Sequence, residues 1–221
     1  MSGFPIRPCL IILNGEIRDQ KAVLDAARLC RSGKTPGAVL CSDGGLRHAA
    51  SLKIVPDFVI GDMDSLPKPI PRFKKKRPLF WCDFDENRSD FEKTMDWAIE
   101  RGFKTAYIAG ALGGGLDHTL VNLAMIERFA SKIALIVLDT GRGFLLRPGK
   151  YRIGLKQGQR FSLLAAPEVV ASLLGARYAL RKERLRSPSH GLGNSAKGEI
   201  LLQVHRGQAW FLTGSKMGLD S

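Results

Sequence analysis

The feature that most constrains the fold is a set of five short apolar runs in the first 140 residues, separated by connections long enough for a helix. The runs have strand length and are rich in Val, Ile, Leu and Ala: 10–13, 38–41, 58–60, 105–109 and 133–138. Continuous apolar strands joined by crossover connections are typical of a parallel sheet covered by helices on both faces. The sequence therefore predicts a largely parallel α/β domain over residues 1–140.

Two helices in this region have recognisable starts. Ser89 begins a capping box with Glu92, and apolar residues follow at helical spacing, so we expect a helix that begins at Ser89. Gly102 is expected to end it. A second helix is expected to open at Asp117, after a glycine-rich turn, and to continue towards Phe129.

The pattern changes after about residue 140. Short segments with strand composition alternate with glycine-rich turns, and they occupy residues 151–155, 160–164, 176–180, 200–204 and 209–212. No long helical pattern is evident among them. The sequence therefore predicts an all-β sandwich domain over residues 141–221.

Charge is distributed unevenly between these two regions. The 34 Lys and Arg exceed the 21 Asp and Glu by 13, and residues 140–221 hold ten of that excess, with 14 basic and four acidic residues. This asymmetry suggests an anionic partner or a division of labour between two domains. The apolar runs are far shorter than the about 20 residues that span a bilayer. We therefore expect a cytoplasmic protein with no membrane segment.

Carboxylates gather where the predicted strands end. Asp43 follows the second run, and Asp62 and Asp64 follow the third. Ligands of open α/β sheets bind beyond the carboxyl ends of the strands, and hard oxygen ligands suit Mg²⁺. The alternative is that these residues only stabilise turns, because Asp is a common turn residue. Three carboxylates at successive strand ends favour a metal site.

Two further groups lie on predicted helix starts. Asp90 and Lys93 stand at i, i+3 and therefore on one helix face, with opposite charges. Asp117 and His118 end the glycine-rich stretch 110–118, whose backbone would suit a phosphate. Taken singly, Asp117 is equally well explained as an N-cap and His118 as a structural histidine. The stretch matches neither of the usual nucleotide-binding fingerprints.

Taken together, four motifs resemble the successive motifs of the thiamine pyrophosphokinase family. They are Ser-Asp-Gly-Gly (42–45), Pro-Asp-Phe-Val-Ile-Gly-Asp-Met-Asp-Ser (56–65), Ser-Asp-Phe-Glu-Lys (89–93) and Gly-Gly-Gly-Leu-Asp-His-Thr-Leu-Val-Asn-Leu (113–123). The resemblance extends more weakly into the β-rich region through residues 175–178 and 192–194.

This resemblance implies an α/β nucleotide-binding domain followed by a β-sandwich, a homodimer with the site near the subunit interface, and an enzyme. Its members transfer the pyrophosphoryl group of ATP to the hydroxyl of thiamine with Mg²⁺ and release AMP. Carried over by position, the catalytic residues are Asp62, Asp64, Asp90 and Lys93, and the metal ligands are Asp43, Asp62, Asp64 and Asp90. The nucleotide-binding residues are Asp43, Gly44, Gly45, Gly113, Gly114, Asp117 and His118. Asn194 and Ser195 are the thiamine-binding residues.

Three places depart from the family pattern. Leu116 stands where the family usually has Arg, Gly193 where a Ser usually precedes the Asn, and the pair 46–47 is Leu-Arg in place of the common Ala-Asn. Two alternatives stay open. One is a pyrophosphokinase for another alcohol, such as a hydroxymethylpterin, and the other is a non-enzymatic nucleic-acid binder suggested by the basic run 74–77 followed by Phe80 and Trp81. The second leaves the acidic strand ends unexplained, so nucleic acid is the less favoured partner.

Overall fold

The structure is a computed structural model that describes residues 7–32, 37–74 and 77–214. The chain divides into two compact units, of which the first reaches Asp139 and the second begins at Thr140. No helix among the described residues is long and apolar enough to span a membrane.

The first unit contains a parallel sheet. Its strands within the described residues are β1 (Pro8–Ile12), β2 (Ala38–Ser42), β3 (Phe58–Gly61), β4 (Leu79–Cys82), β5 (Thr105–Ala109) and β6 (Ala134–Leu138). They lie in the order β6-β5-β1-β2-β3-β4, and every neighbouring pair is parallel. The loops that follow β1, β2, β3 and β5 therefore leave the sheet at one edge, the carboxyl edge. The five predicted runs all form strands, and β4 is an additional edge strand.

Four helices join these strands: α1 (Gln20–Ser32), α2 (Leu46–Ser51), α3 (Asp90–Glu100) and α4 (Leu116–Phe129). The predicted N-cap is confirmed, because Oγ of Ser89 accepts a hydrogen bond from the backbone N–H of Glu92 at 3.2 Å. The carboxylate of Glu92 pairs with Arg128 rather than closing the capping box. Gly102, just past the end of α3, has a φ of +77°, which favours glycine. The capped first turn of α3 carries Asp90 and Lys93 to the carboxyl edge.

The other end of α3 is anchored by an aromatic cluster. The ring of Trp97 lies 4.5 Å from that of Phe58 in β3 and stacks on Phe103 at 6.4 Å. The guanidinium of Arg101 lies over the Trp97 ring at 4.0 Å and over the Trp81 ring at 4.9 Å. Since Trp97 is 5% exposed, this packing fixes α3 against the sheet.

The second unit is built from strands within its described residues. They are β7 (Gly141–Leu146), β8 (Gly149–Ile153), β9 (Arg160–Ala176), β10 (Leu180–Arg184) and β11 (Asn194–Gly214). β11 pairs with β7, β8 and β9, and β10 pairs with β9. The predicted β-rich composition is confirmed here, whereas the arrangement as a sandwich stays a prediction.

One strand prediction in this unit is wrong: segment 176–180 is not one strand, because Ala176 ends β9 and Leu180 begins β10. Segments 200–204 and 209–212 form strand as predicted, but both are parts of β11, so the turn predicted between them is wrong. Gly207, which separates them, has a φ of +77°, and a Cβ there would collide with the carbonyl oxygen of Glu168. The glycine reflects a close approach of two strands rather than a chain reversal.

Candidate active site

Asp43 is the buried member of the acidic group at the carboxyl edge. Its Oδ1 accepts the backbone N–H of Gly44 at 2.5 Å, and its Oδ2 accepts that of Ser65 at 3.1 Å. The turn that follows β2 needs Gly44 because a Cβ there would lie 2.5 Å from Cγ of Asn14. Gly45 is needed for a similar reason, since a Cβ there would collide with the carbonyl oxygen of Ile12. The tight turn after β2 therefore fixes the Asp43 carboxylate in one position.

Asp62 and Asp64 follow β3 and face Asp43. One carboxylate oxygen from each of the three residues can be chosen so that all lie within 4.8 Å of one another. Oδ1 of Asp62 accepts the backbone N–H of Asp64 at 3.1 Å, and this hydrogen bond is the main reason why the pKa of Asp62 is lowered. The structure thus brings together three of the predicted metal ligands, named here the acidic cluster.

Asp90, the fourth predicted ligand, lies beside this cluster at the start of α3. A Cβ on Gly61 would come within 2.9 Å of its carboxyl carbon, so the carboxyl group packs directly on the end of β3. Burial raises the pKa of Asp90 to about 7, and a hydrogen bond with Asp43 and the charge of Asp43 add to that shift. Lys93 opposes it.

Lys93 is almost completely buried, with 1% of its side chain exposed. Its Nζ donates to the carbonyl oxygen of Asp83 at 2.8 Å and lies 3.6 Å from Oδ1 of Asp90. The ammonium group is thus enclosed on the protein side of Asp90. In this position it balances part of the carboxylate charge, while its catalytic role stays a prediction.

The glycine-rich loop lies at the ends of β5 and β1. The backbone N–H of Gly15 donates to the carbonyl of Gly110 at 3.0 Å, and that of Glu16 donates to the carbonyl of Leu112 at 2.8 Å. A Cβ on Gly15 would lie 2.5 Å from both of those oxygens. The two loops therefore form one continuous surface of backbone at the carboxyl edge.

Asp117 and His118 are both exposed at the start of α4. The helix begins at Leu116 with Gly115 as N-cap, so the explanation of Asp117 as the N-cap is wrong. Its Oδ1 instead accepts the backbone N–H of His118 at 2.8 Å. Neither side chain is hydrogen-bonded or ion-paired to the acidic cluster within the described chain.

Sequence reasoning missed a group of polar residues between the acidic cluster and the glycine-rich loop. Nη2 of Arg47 donates to the carbonyl oxygen of Asn14 at 2.8 Å, and Nε2 of His48 lies 3.4 Å from the same oxygen. Burial lowers the pKa of His48, and the charge of Arg47 contributes to that shift. The signal was available, because residue 47 departs from the family pattern two positions after the double glycine.

Asn194 and Ser195 lie at the start of β11 in the second unit. Oδ1 of Asn194 accepts the backbone N–H groups of Tyr178 at 3.0 Å and Ser195 at 2.8 Å, and its Nδ2 donates to the carbonyl of Tyr178 at 2.7 Å. The side chain is 3% exposed. The buried amide therefore holds the segment between β9 and β10, and a contact with substrate stays a prediction.

The acidic cluster fits a divalent cation. Its three carboxylates converge in a small space, and the buried cation beside it, Lys93, forms its ion pair with Asp90 rather than with the cluster. Close carboxylates repel one another unless a positive charge joins them. Carboxylate oxygens are the ligands that Mg²⁺ takes, together with phosphate oxygens and water. The site can therefore bind a metal–phosphate ligand.

Comparisons with known proteins agree with this chemistry. Residues 34–138 match the family model of the thiamin pyrophosphokinase catalytic domain. A thiamine pyrophosphokinase of Bacillus subtilis is 26% identical over 155 residues, which are 67% of this chain and 69% of that protein. Thiamin pyrophosphokinase 1 of Caenorhabditis elegans is 32% identical over 92 residues, 38% of this chain and 37% of that protein.

Solved structures share the fold. The crystal structure of thiamine pyrophosphokinase from Bacillus subtilis has a TM-score of 0.75 and 17% identity, with 96% of this chain and 100% of that chain covered. The enzyme from Geobacillus thermodenitrificans has a TM-score of 0.74 and 19% identity, with 96% and 99% covered. The family resemblance predicted from the four motifs is confirmed.

Proposed function

We propose that this chain, whose residues 34–138 match the thiamin pyrophosphokinase catalytic domain, is a thiamine pyrophosphokinase. It is an ATP-dependent diphosphotransferase that converts ATP and thiamine to AMP and thiamine diphosphate. The observation that carries the proposal is the acidic cluster, which lies within the matched segment at the carboxyl edge of a parallel sheet.

Asp43, Asp62 and Asp64 would hold Mg²⁺, with Asp90 as a neighbouring ligand. Bound there, Mg²⁺ supplies positive charge to the phosphate oxygens of ATP. The chain fixes the ligands in advance, because backbone N–H groups hold the carboxylates of Asp43 and Asp62. Positioning of this kind is the main contribution of the protein to phosphoryl transfer.

The reaction is an in-line attack of the thiamine hydroxyl on the β-phosphorus of ATP. A bond forms between that oxygen and the β-phosphorus, the bond from the β-phosphorus to the oxygen on the α-phosphate breaks, and AMP leaves. Asp62 and Asp90 are the two candidates for accepting the hydroxyl proton. Lys93 holds Asp90 from the protein side through the contact of 3.6 Å.

The remaining assignments complete the proposal. Residues 1–140 form the ATP-binding catalytic domain, and residues 141–221 form a β-sandwich that binds thiamine through Asn194 and Ser195. The glycine-rich backbone supports this assignment of the nucleotide side, which comprises Asp43, Gly44, Gly45, Gly113, Gly114, Asp117 and His118. The chain acts as a homodimer with the site near the subunit interface, which light scattering would test.

The deciding experiment is nucleotide chromatography after incubation with ATP, Mg²⁺ and thiamine. We expect AMP and thiamine diphosphate in equal amounts, with no thiamine monophosphate as intermediate. Stoichiometric ADP would contradict pyrophosphoryl transfer. A parallel incubation with a hydroxymethylpterin tests the alternative acceptor. AMP release with the pterin but not with thiamine would show that the pterin is the substrate.

A further inference from the structure

We infer that Arg47 is a phosphate-binding residue for the nucleotide, held in position by the backbone of Asn14. The inference rests on the proposed function, since it assigns a further residue to the ATP site. It starts from the place of Arg47 in the fold: α2 begins one residue before it and follows directly on β2. Its guanidinium crosses from there to the loop after β1.

The carboxyl edge has a definite order of groups. Asp62 and Asp64 follow β3, Asp43 follows β2, Asn14 follows β1, and the glycine-rich loop follows β5. Neighbouring strands lie about 4.8 Å apart. The hydrogen bond to Asn14 therefore places Arg47 between the acidic cluster and the glycine-rich loop. A polyphosphate that extends from a metal on the cluster towards that loop passes Arg47.

Close packing connects Arg47 to the cluster through Asn14. The side chain of Asn14 presses on Gly44, where a Cβ would lie 2.5 Å from its Cγ. Gly44 in turn donates its backbone N–H to Asp43. The carbonyl that accepts the hydrogen bond of Arg47 thus belongs to Asn14, which packs on Gly44, the residue next to the predicted metal ligand Asp43.

The charge of Arg47 is available for an anion. Other arginines of the first unit are ion-paired: Arg18 with Glu16 and Asp139, Arg88 with Asp83 and Asp96, and Arg128 with Glu92. Within the part of the chain that the structure describes, no carboxylate forms an ion pair with Arg47. Its side chain is exposed, and its hydrogen bond to Asn14 uses one of five guanidinium N–H donors. A planar fork of such donors matches phosphate oxygens.

The chain offers a matched control in Arg31. This arginine is also exposed, and its guanidinium also donates to a backbone carbonyl, that of Val55. Val55 precedes β3, so this contact lies at the opposite edge of the sheet from the acidic cluster. Replacing Arg31 removes the same charge and the same kind of hydrogen bond away from the proposed site.

The test compares the wild type with Arg47→Ala, Arg47→Lys and Arg31→Ala. ATP binding is measured by calorimetry with Mg²⁺ and without thiamine, and the KM values for ATP and thiamine are measured separately. We expect Arg47→Ala to raise the Kd and KM for ATP about ten-fold or more, as for a lost charge-assisted hydrogen bond. The KM for thiamine should stay unchanged. Arg47→Lys should lie between Ala and wild type, and Arg31→Ala should bind ATP as the wild type does.

Other outcomes overturn the inference. Unchanged ATP binding by Arg47→Ala would show that Arg47 does not bind the nucleotide. The same conclusion would follow if Arg31→Ala lost as much ATP affinity as Arg47→Ala, or if the wild type did not bind ATP. A melting temperature that falls together with a rise of both KM values would make Arg47 a structural tether of α2. The proposed function fails separately: if the wild type binds ATP through Arg47 but forms no AMP with thiamine, only the reaction is wrong.

Discussion

Asp43 and Asp64 belong to one cluster but differ in what surrounds their carboxylates. Asp43 is 2% exposed, and both of its oxygens accept backbone N–H groups. Asp64 is exposed, and among the described residues its carboxylate accepts no backbone N–H group; its side-chain partner is Asp62. The same substitution should therefore have opposite effects on stability at the two positions, although both should impair the reaction.

Asp64→Asn should reduce activity without destabilising the fold. It removes one of three charges whose oxygens lie within 4.8 Å, and such repulsion amounts to about 1 kcal/mol at 4 Å in water. The metal-free protein should melt at the same or a higher temperature, while AMP formation falls about 10²-fold or more. Asp62→Asn should behave alike, because Asn keeps the oxygen that accepts the N–H of Asp64. Near-normal turnover in both variants would make these residues turn formers only.

Asp43→Asn should destabilise the metal-free protein. The amide NH₂ of Asn must face the backbone N–H of either Gly44 or Ser65, and two facing donors leave a buried group unsatisfied, at a cost of about 1–3 kcal/mol. In a chain of this size each kcal/mol lowers the melting temperature by about 2–4 °C. Thermal denaturation of Asp43→Asn beside Asp64→Asn checks this. Equal melting temperatures would show that the two backbone hydrogen bonds contribute little.

At the scale of elements, the hydrogen bonds of Asn194 join β11 to the segment between β9 and β10. Asn194→Asp puts a carboxylate oxygen against the carbonyl of Tyr178, which now receives the N–H of the amide. We expect a loss of about 1–3 kcal/mol in unfolding free energy, with Ser195→Ala as the neighbouring control. A higher KM for thiamine at an unchanged melting temperature would instead show that Asn194 acts on the substrate alone.

How much of these elements could be predicted depends on whether the signal is local. The sequence signals for the strand β2 and for the capped start of α3 lie in adjacent residues, and both elements were predicted. β4 could not be predicted, because this exposed edge strand has only four residues and lies between polar segments. The glycine-rich turn predicted between segments 200–204 and 209–212 is wrong, because the chain continues through Gly207 as β11. The Glu168 carbonyl that excludes a side chain at Gly207 lies 39 residues earlier in the chain.

The same difference between local and distant sequence signals applies to the site. The carboxylates could be predicted because their place depends on where a strand ends, which the sequence marks. The burial of Lys93 could not be predicted, because the Asp83 carbonyl that accepts the hydrogen bond of its ammonium group lies in a separate loop. Arg47 was visible as a departure from a motif, but its position depends on a contact with residue 14, 33 positions away.

At the scale of the whole molecule, the excess of positive charge lies in the second unit. Among its described residues, Arg152 pairs with Glu199, and both Arg184 and Arg206 pair with Glu168. Exposed pairs of this kind contribute little to stability. The exposed run 181–186 contains four cations, but Glu183 and the buried Leu185 interrupt it, so it is not a continuous basic arm.

Binding of nucleic acid by this surface should therefore be non-specific and sensitive to salt. Each phosphate contact contributes about −0.9 to the slope of log K against log salt. Titration of two unrelated duplexes at increasing salt should give equal affinities that fall steeply. Sequence-selective binding that persists at about 0.15 M salt would contradict the view that the charge serves no nucleic-acid site.

The aromatic cluster around Trp97 has an optical consequence. Indole emission depends on its surroundings, and Trp97 is 5% exposed, with Phe58 and Phe103 beside it and a guanidinium over its ring. The same helix carries Asp90 at its first residue. A change in the tilt of α3 on ligand binding would alter the distance between that ring and Phe58, which lies in β3. The chain therefore carries its own fluorophore on the helix that reaches the acidic cluster, and titration with Mg²⁺ and ATP would test whether its emission follows site occupancy without a label.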